Sequence, residues 1–192
     1  MERRNDCLLT FTMMRRLPYL PVLLFPLLLL LVACSPTYDW REVRGSEAPY
    51  LAMMPGKPST HTRTVDLNGI EVSMTMTATE VQDQVFAVAT AALPDASRAA
   101  FALDAMKTAL VKNINGTVRV EKVLPTIGGE SSLPVLQVEA VGTPSGNGAQ
   151  PQWMLARFMA KGEHVYQVLV LGPEAKINRE QAETFMAGFK VQ

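Results

Sequence analysis

The pair Asn68-Gly69 stands between two stretches of strand-like sequence and restricts the fold more than any other feature. Both residues accept positive φ, which a two-residue hairpin turn of the correct twist requires. Before the pair, His61 to Leu67 reads as extended chain. After it, Ile70-Glu-Val-Ser-Met-Thr-Met-Thr-Ala78 alternates apolar and polar residues without a break. Period two points Ile70, Val72, Met74, Met76 and Ala78 toward a core and Glu71, Ser73, Thr75 and Thr77 outward. A chain with this segment has to build an antiparallel sheet with one face covered.

The rest of the pattern fills in around that hairpin. Tyr50 to Met54 is a short strand stopped by Pro55-Gly56, and Val85 to Leu93 is another. Pro94-Asp95 opens a helix with Asp95 as its N-cap. Ala99, Leu103, Met106, Leu110 and Ile114 form its apolar stripe, and Asn115-Gly116 closes it. Strands follow over 117–123, 135–141, 153–160 and 164–171, the last two joined by Lys161-Gly162-Glu163. A final helix starts near Asn178 and sets Ala182, Phe185, Met186 and Phe189 on one face. Strands, helix, strands, helix, with hairpin connections, is an α+β class with a largely antiparallel sheet and two packed helices.

The amino terminus is of another kind. No charge occurs from Leu17 through Tyr38, and Arg15-Arg16 precedes an apolar run that ends in small residues. That is the layout of a secretory signal. A membrane-spanning anchor would need roughly 20 uninterrupted apolar residues, and Pro18, Pro21 and Pro26 break the run. Met1 to Thr12 is long and partly acidic for the start of a signal, so the expected start is Met13 or Met14. The Arg pair lacks the rest of a twin-arginine motif. Leu31-Val-Ala-Cys34-Ser35 resembles the lipobox of bacterial lipoproteins. The resemblance implies a lipid on Cys34, cleavage before it, and acylation of the new amino terminus. It further implies export to the outer membrane, because Ser35 rather than Asp follows the Cys. The expected organisation is a signal over 1–33, a polar tether over 34–48 and a domain over 49–192.

Within that domain, Tyr50-Leu-Ala-Met-Met-Pro-Gly-Lys-Pro58 resembles the opening strand and turn of the Mog1/PsbP-like domains. Ala92-Leu-Pro94, Arg157 before a hairpin into Val165-Tyr-Gln-Val-Leu-Val170, and Phe185-Met-Ala-Gly-Phe-Lys190 continue the resemblance to about Val191. It implies a binding or accessory module of the cell envelope rather than a reaction. The partner would be an envelope protein that the sequence does not name.

Composition narrows the chemistry. Eighteen Lys plus Arg stand against 18 Asp plus Glu, which removes the net basic footprint of a nucleic-acid binder. The cysteines are Cys7 and Cys34 only. With Cys34 acylated and Cys7 cleaved off, no thiol remains for a disulfide, a metal or nucleophilic work. His61 and His164 are the only histidines, and neither has a ligand at metal spacing. Met53, Met54, Met74 and Met76 invite a Cu(I) thioether site, but core filling accounts for them. Gly142 to Gly148 lacks the following helix and Lys of a phosphate loop. Ser145 has no triad partner in sequence. Asp95, Asp104, Glu121 and Glu139 are scattered singly, and Trp153 and Phe158 read as core. The expectation is therefore a non-enzymatic module with no cofactor and no metal. The alternative is a small-ligand carrier or hydrolase whose site assembles only in three dimensions.

Overall fold

The computed structural model describes residues 37–125 and 134–192. The expected signal and Cys34 lie outside the described residues. Strand β1 is Arg41–Arg44, β2 Tyr50–Met54, β3 Ser59–Asp66, β4 Glu71–Val81 and β5 Gln84–Ala92. A short 3-10 turn, Ala96–Arg98, leads into helix α1, Ala99–Asn113. Strands β6 Gly116–Leu124, β7 Val135–Gly142, β8 Gln152–Lys161 and β9 His164–Pro173 follow. Then come helix α2, Arg179–Ala187, and the two-residue strand β10, Lys190–Val191.

The Asn68-Gly69 turn forms as its sequence dictates. Asn68 and Gly69 take φ of 55° and 86°, Leu67 N–H donates to Ile70 O at 2.9 Å, and Asp66 faces Glu71 in register. The Gly69 N–H also donates to the Asp66 carboxylate. From this hairpin a seven-stranded sheet grows in the order β3-β4-β5-β9-β8-β7-β6, every neighbouring pair antiparallel. Strands β1, β2 and β10 make a second sheet, also antiparallel. The class is α+β.

The large sheet is covered on both sides. Helix α1 lies on one face, where Ala99, Ala102, Leu103, Ala105 and Met106 share one core with Val72, Ala89, Val138, Ala156 and Phe158. Its alanines bring the helix close to the strands. On the other face, the small sheet and α2 enclose Phe86, Trp153, Tyr166, Val168 and Phe185. Phe86 meets Phe185 edge to face, with centroids 5.4 Å apart. Fully burying such a side chain contributes about 2 kcal/mol over leaving it exposed.

Two-sided coverage corrects the expected alternation. Ile70, Val72 and Met74 are buried as the pattern requires, and Met76 and Ala78 are half-buried. Thr77, expected outward, is buried too, because the small sheet and the 45–48 loop between its first two strands cover that face. Over its described residues, 37–48, the expected tether over 34–48 is corrected more strongly. Thr37 to Gln192 is one compact unit, and the domain does not wait for residue 49. Arg41 to Arg44 pairs with Leu51 to Met54 in β2, Val43 packs on the second core and Ala48 is buried. The segment reads as polar because alternate residues of an edge strand face water, and one Val suffices for its buried side. At the end of α1, Asn115 rather than Gly116 takes the left-handed conformation, with φ of 47°. The side-chain amide repays that position by donating to Thr143 O at 3.3 Å and Ser145 Oγ at 2.9 Å.

Candidate functional site

A hydroxyl-lined groove runs over the second face of the large sheet, where loop 45–48 crosses β3, β4 and β5. Register alone builds its floor. Thr62, Thr75, Thr90 and Tyr166 stand in one row across β3-β4-β5-β9, and Thr60 and Thr77 begin the next row. Thr60 Oγ1 and Thr77 Oγ1 are 3.0 Å apart, and Thr62 Oγ1 and Thr75 Oγ1 2.9 Å. These are cross-strand hydroxyl pairs of the kind that steady a ladder. Thr75 Oγ1 also donates to Glu47 Oε2 at 3.4 Å.

The loop forms the roof. Gly45 N–H donates to Tyr50 O at 3.0 Å, and a Cβ at Gly45 would collide with Ala48 O and the Tyr50 ring. Only glycine lets the chain turn this tightly over the strand. Beneath it lie two adjoining clefts of about 120 and 110 Å³, which share Glu47, Ala48 and Thr90. His164 lines the far end. Burial raises the Tyr50 hydroxyl pKa, and a hydrogen bond with Thr77 opposes that rise.

Thr90 is 5% exposed, lines both clefts, and its hydroxyl makes no hydrogen bond among the described residues. A buried polar group without a partner is uncommon and calls for water or ligand. Arg44 is tied to Glu42 by two bonds of 2.9 and 2.7 Å, so Glu47 is the unneutralised charge at this rim. Hydroxyls beside one carboxylate suit an uncharged polar group or an ammonium and repel an anion.

The residues singled out from sequence do not converge on one centre. His61 is exposed on β3 and His164 begins β9. Met54 lies in the core on one side of the sheet and Met74 in the core on the other. Asp95 accepts from Ser97 N–H at 2.7 Å as an N-cap, though of the 3-10 turn that leads into α1. The backbone N–H of Ser97 is the main cause lowering its pKa. Asp104 and Glu121 both pair with Lys107. Glu139 accepts from Trp153 Nε1 at 2.6 Å and from Arg179 Nη1 at 3.1 Å, while the Arg179 guanidinium lies 4.7 Å from the Trp153 ring centre. Trp153 and Phe158 are core. Ser145 holds Asn115 in the 142–148 loop, which joins β7 to β8 and precedes no helix.

Arg157 is the side chain whose role the sequence did not reveal. Its Nε donates to Gln137 Oε1 at 2.8 Å and its Nη1 to Met186 O at 2.9 Å, tying β7 and β8 to the end of α2. Burial lowers its pKa, and the Glu183 carboxylate opposes that. The groove was equally hidden, because its threonines belong to three strands and only register brings them together. Among the described residues, no group of three or more His, Cys, Asp or Glu side chains is placed to hold a metal ion. No helix among them is long and apolar enough to cross a membrane. No family model matches the chain, and no curated protein matches it either.

Proposed function

We propose that the protein is a bacterial envelope lipoprotein with a Mog1/PsbP-like domain, acting as a non-enzymatic binding or accessory module. The observation that carries the reading is Leu31-Val-Ala-Cys34-Ser35 at the end of an apolar run preceded by Arg15-Arg16. A triacylated Cys34 supplies more than one acyl chain, which stable anchoring requires. Ser35 after that Cys favours the outer membrane, with the domain facing the periplasm and meeting an envelope protein there. The α+β sandwich, with its short hairpins and covered sheet, supports the family assignment without identifying the partner. Mass spectrometry of the amino-terminal peptide tests the reading. An acylated Cys34, and accumulation of precursor in Cys34→Ser, are the expected results. A native chain that begins before Cys34 would reject it. Recovery of the acylated protein with inner-membrane markers would reject only the outer-membrane placement.

The unpartnered Thr90 hydroxyl favours a second reading, that of a carrier for a small neutral or amine-bearing ligand held in the groove. Thermal-shift screening with simple sugars, polyols and amines tests it. A stabilising compound whose effect disappears in Thr90→Val supports the carrier, and a flat response throughout rejects it.

A further inference from the structure

The corrected domain boundary changes where the molecule stands relative to its lipid. Asp39 N–H donates to Pro55 O at 3.0 Å, and the described domain begins at Thr37. Cys34, Ser35 and Pro36 are then all the chain between the acylated sulfur and the domain, a span of at most about 10 Å. Two of the first four side chains after this link, Tyr38 and Trp40, are aromatic. Tyr38 and Trp40 stack with centroids 6.2 Å apart and planes 17° apart, and both are half-buried. Tyr38 meets Phe86 edge to face at 6.5 Å and donates from its hydroxyl to Gln82 Oε1 at 3.2 Å. Their inner edges rest on the second core and their outer edges face solvent.

We propose that the Tyr38–Trp40 pair is a membrane-contact surface, which seats the domain on the headgroups of the leaflet that holds the Cys34 lipid. The proposal rests on acylation of Cys34. Tyr and Trp carry an apolar body and a polar tip, the combination that concentrates at the membrane–water interface. So short a link holds the pair at high effective concentration beside the surface, so a weak contact is enough. Three of the basic side chains nearby are paired. Arg41 is bonded to Asp39, Arg44 to Glu42 and Lys176 to Asp83. A surface without a free basic cluster fits zwitterionic phospholipid, since attraction to anionic lipid needs such a cluster.

The two tryptophans make the test direct, because Trp153 is buried and bonded to Glu139. The full chain is produced in a Gram-negative host, and acylation of Cys34 is established by mass. The protein is then reconstituted into phosphatidylethanolamine-rich vesicles, with or without bromine on the acyl chains. Bromine is expected to remove at least half of the Trp40 emission. In Trp40→Phe, with its melting curve checked, the remaining Trp153 emission is expected to be the same in both vesicles. Acylated protein whose emission ignores bromine overturns the membrane seat and leaves the anchor standing. Bromine sensitivity that survives in Trp40→Phe overturns it equally. An amino-terminal peptide without acyl groups overturns the anchor, and the seat with it.

Discussion

Arg157 sits where a charge needs partners on two sides at once, and the fork of its guanidinium reaches both. Removing it strands the Gln137 side-chain oxygen and the Met186 carbonyl in a site that water enters poorly. Arg157→Met should lower unfolding stability by about 2 kcal/mol or more, read as a shifted denaturant midpoint. Arg157→Lys should recover only part of the loss, because one ammonium lacks the fork geometry. Gly69 is held by backbone alone. A Cβ there would meet nothing within 4 Å, yet φ is +86°, so Gly69→Val should cost about 1 kcal/mol or more through strain only. An unchanged melting temperature would contradict that. The contrast explains what single residues disclose in a sequence. Gly69 speaks through its immediate neighbour Asn68, whereas the Arg157 partners lie 20 and 29 positions away. Thr90 is quieter still, since nothing but three-strand register places it at a cleft.

Among the elements, β4 was legible because nine residues alternate strictly, and α2 because Asn178 precedes an apolar stripe. The Asn178 side chain does accept from Gln181 N–H at 3.2 Å, and Ala182, Phe185 and Met186 are buried. Strand β1 was not legible. Its four residues are mostly exposed, and what makes them a strand is the free edge of β2 and the packing of Tyr38, Trp40 and Val43. Strand β10, two residues long, is too short to carry any period. The location of β1 has a direct consequence for protease access. Under native conditions trypsin should spare the bonds after Arg41 and Arg44, because paired strand cannot enter a protease cleft. Rapid cleavage there, followed by mass analysis of the fragments, would mean that 41–44 behaves as a loose tether.

For the whole molecule, burial of the Tyr50 and Tyr166 phenols is the main cause raising both pKa values above their ordinary range. The folded state therefore keeps protons that the unfolded chain gives up near pH 10. The stability from these neutral phenols is fully present below the unfolded value and is lost as pH rises through the folded ones. Urea midpoints should thus fall as pH climbs above about 10, and Tyr166→Phe should lessen the fall. A fall of the same size in that variant would contradict the assignment. The arrangement of the large sheet carries a different kind of consequence, one of time. Strand β9 is nearly the last strand of the chain, yet it stands at the centre of the sheet, between β5 and β8. Strand β2 likewise waits for β10. A chain delivered from its amino terminus therefore carries two half-made sheets with open edges until residues 164–191 arrive, and pairing so distant in sequence is slow to close. Folding of this domain is therefore an event of the completed chain, and a polypeptide still lacking its last segment keeps both sheets open.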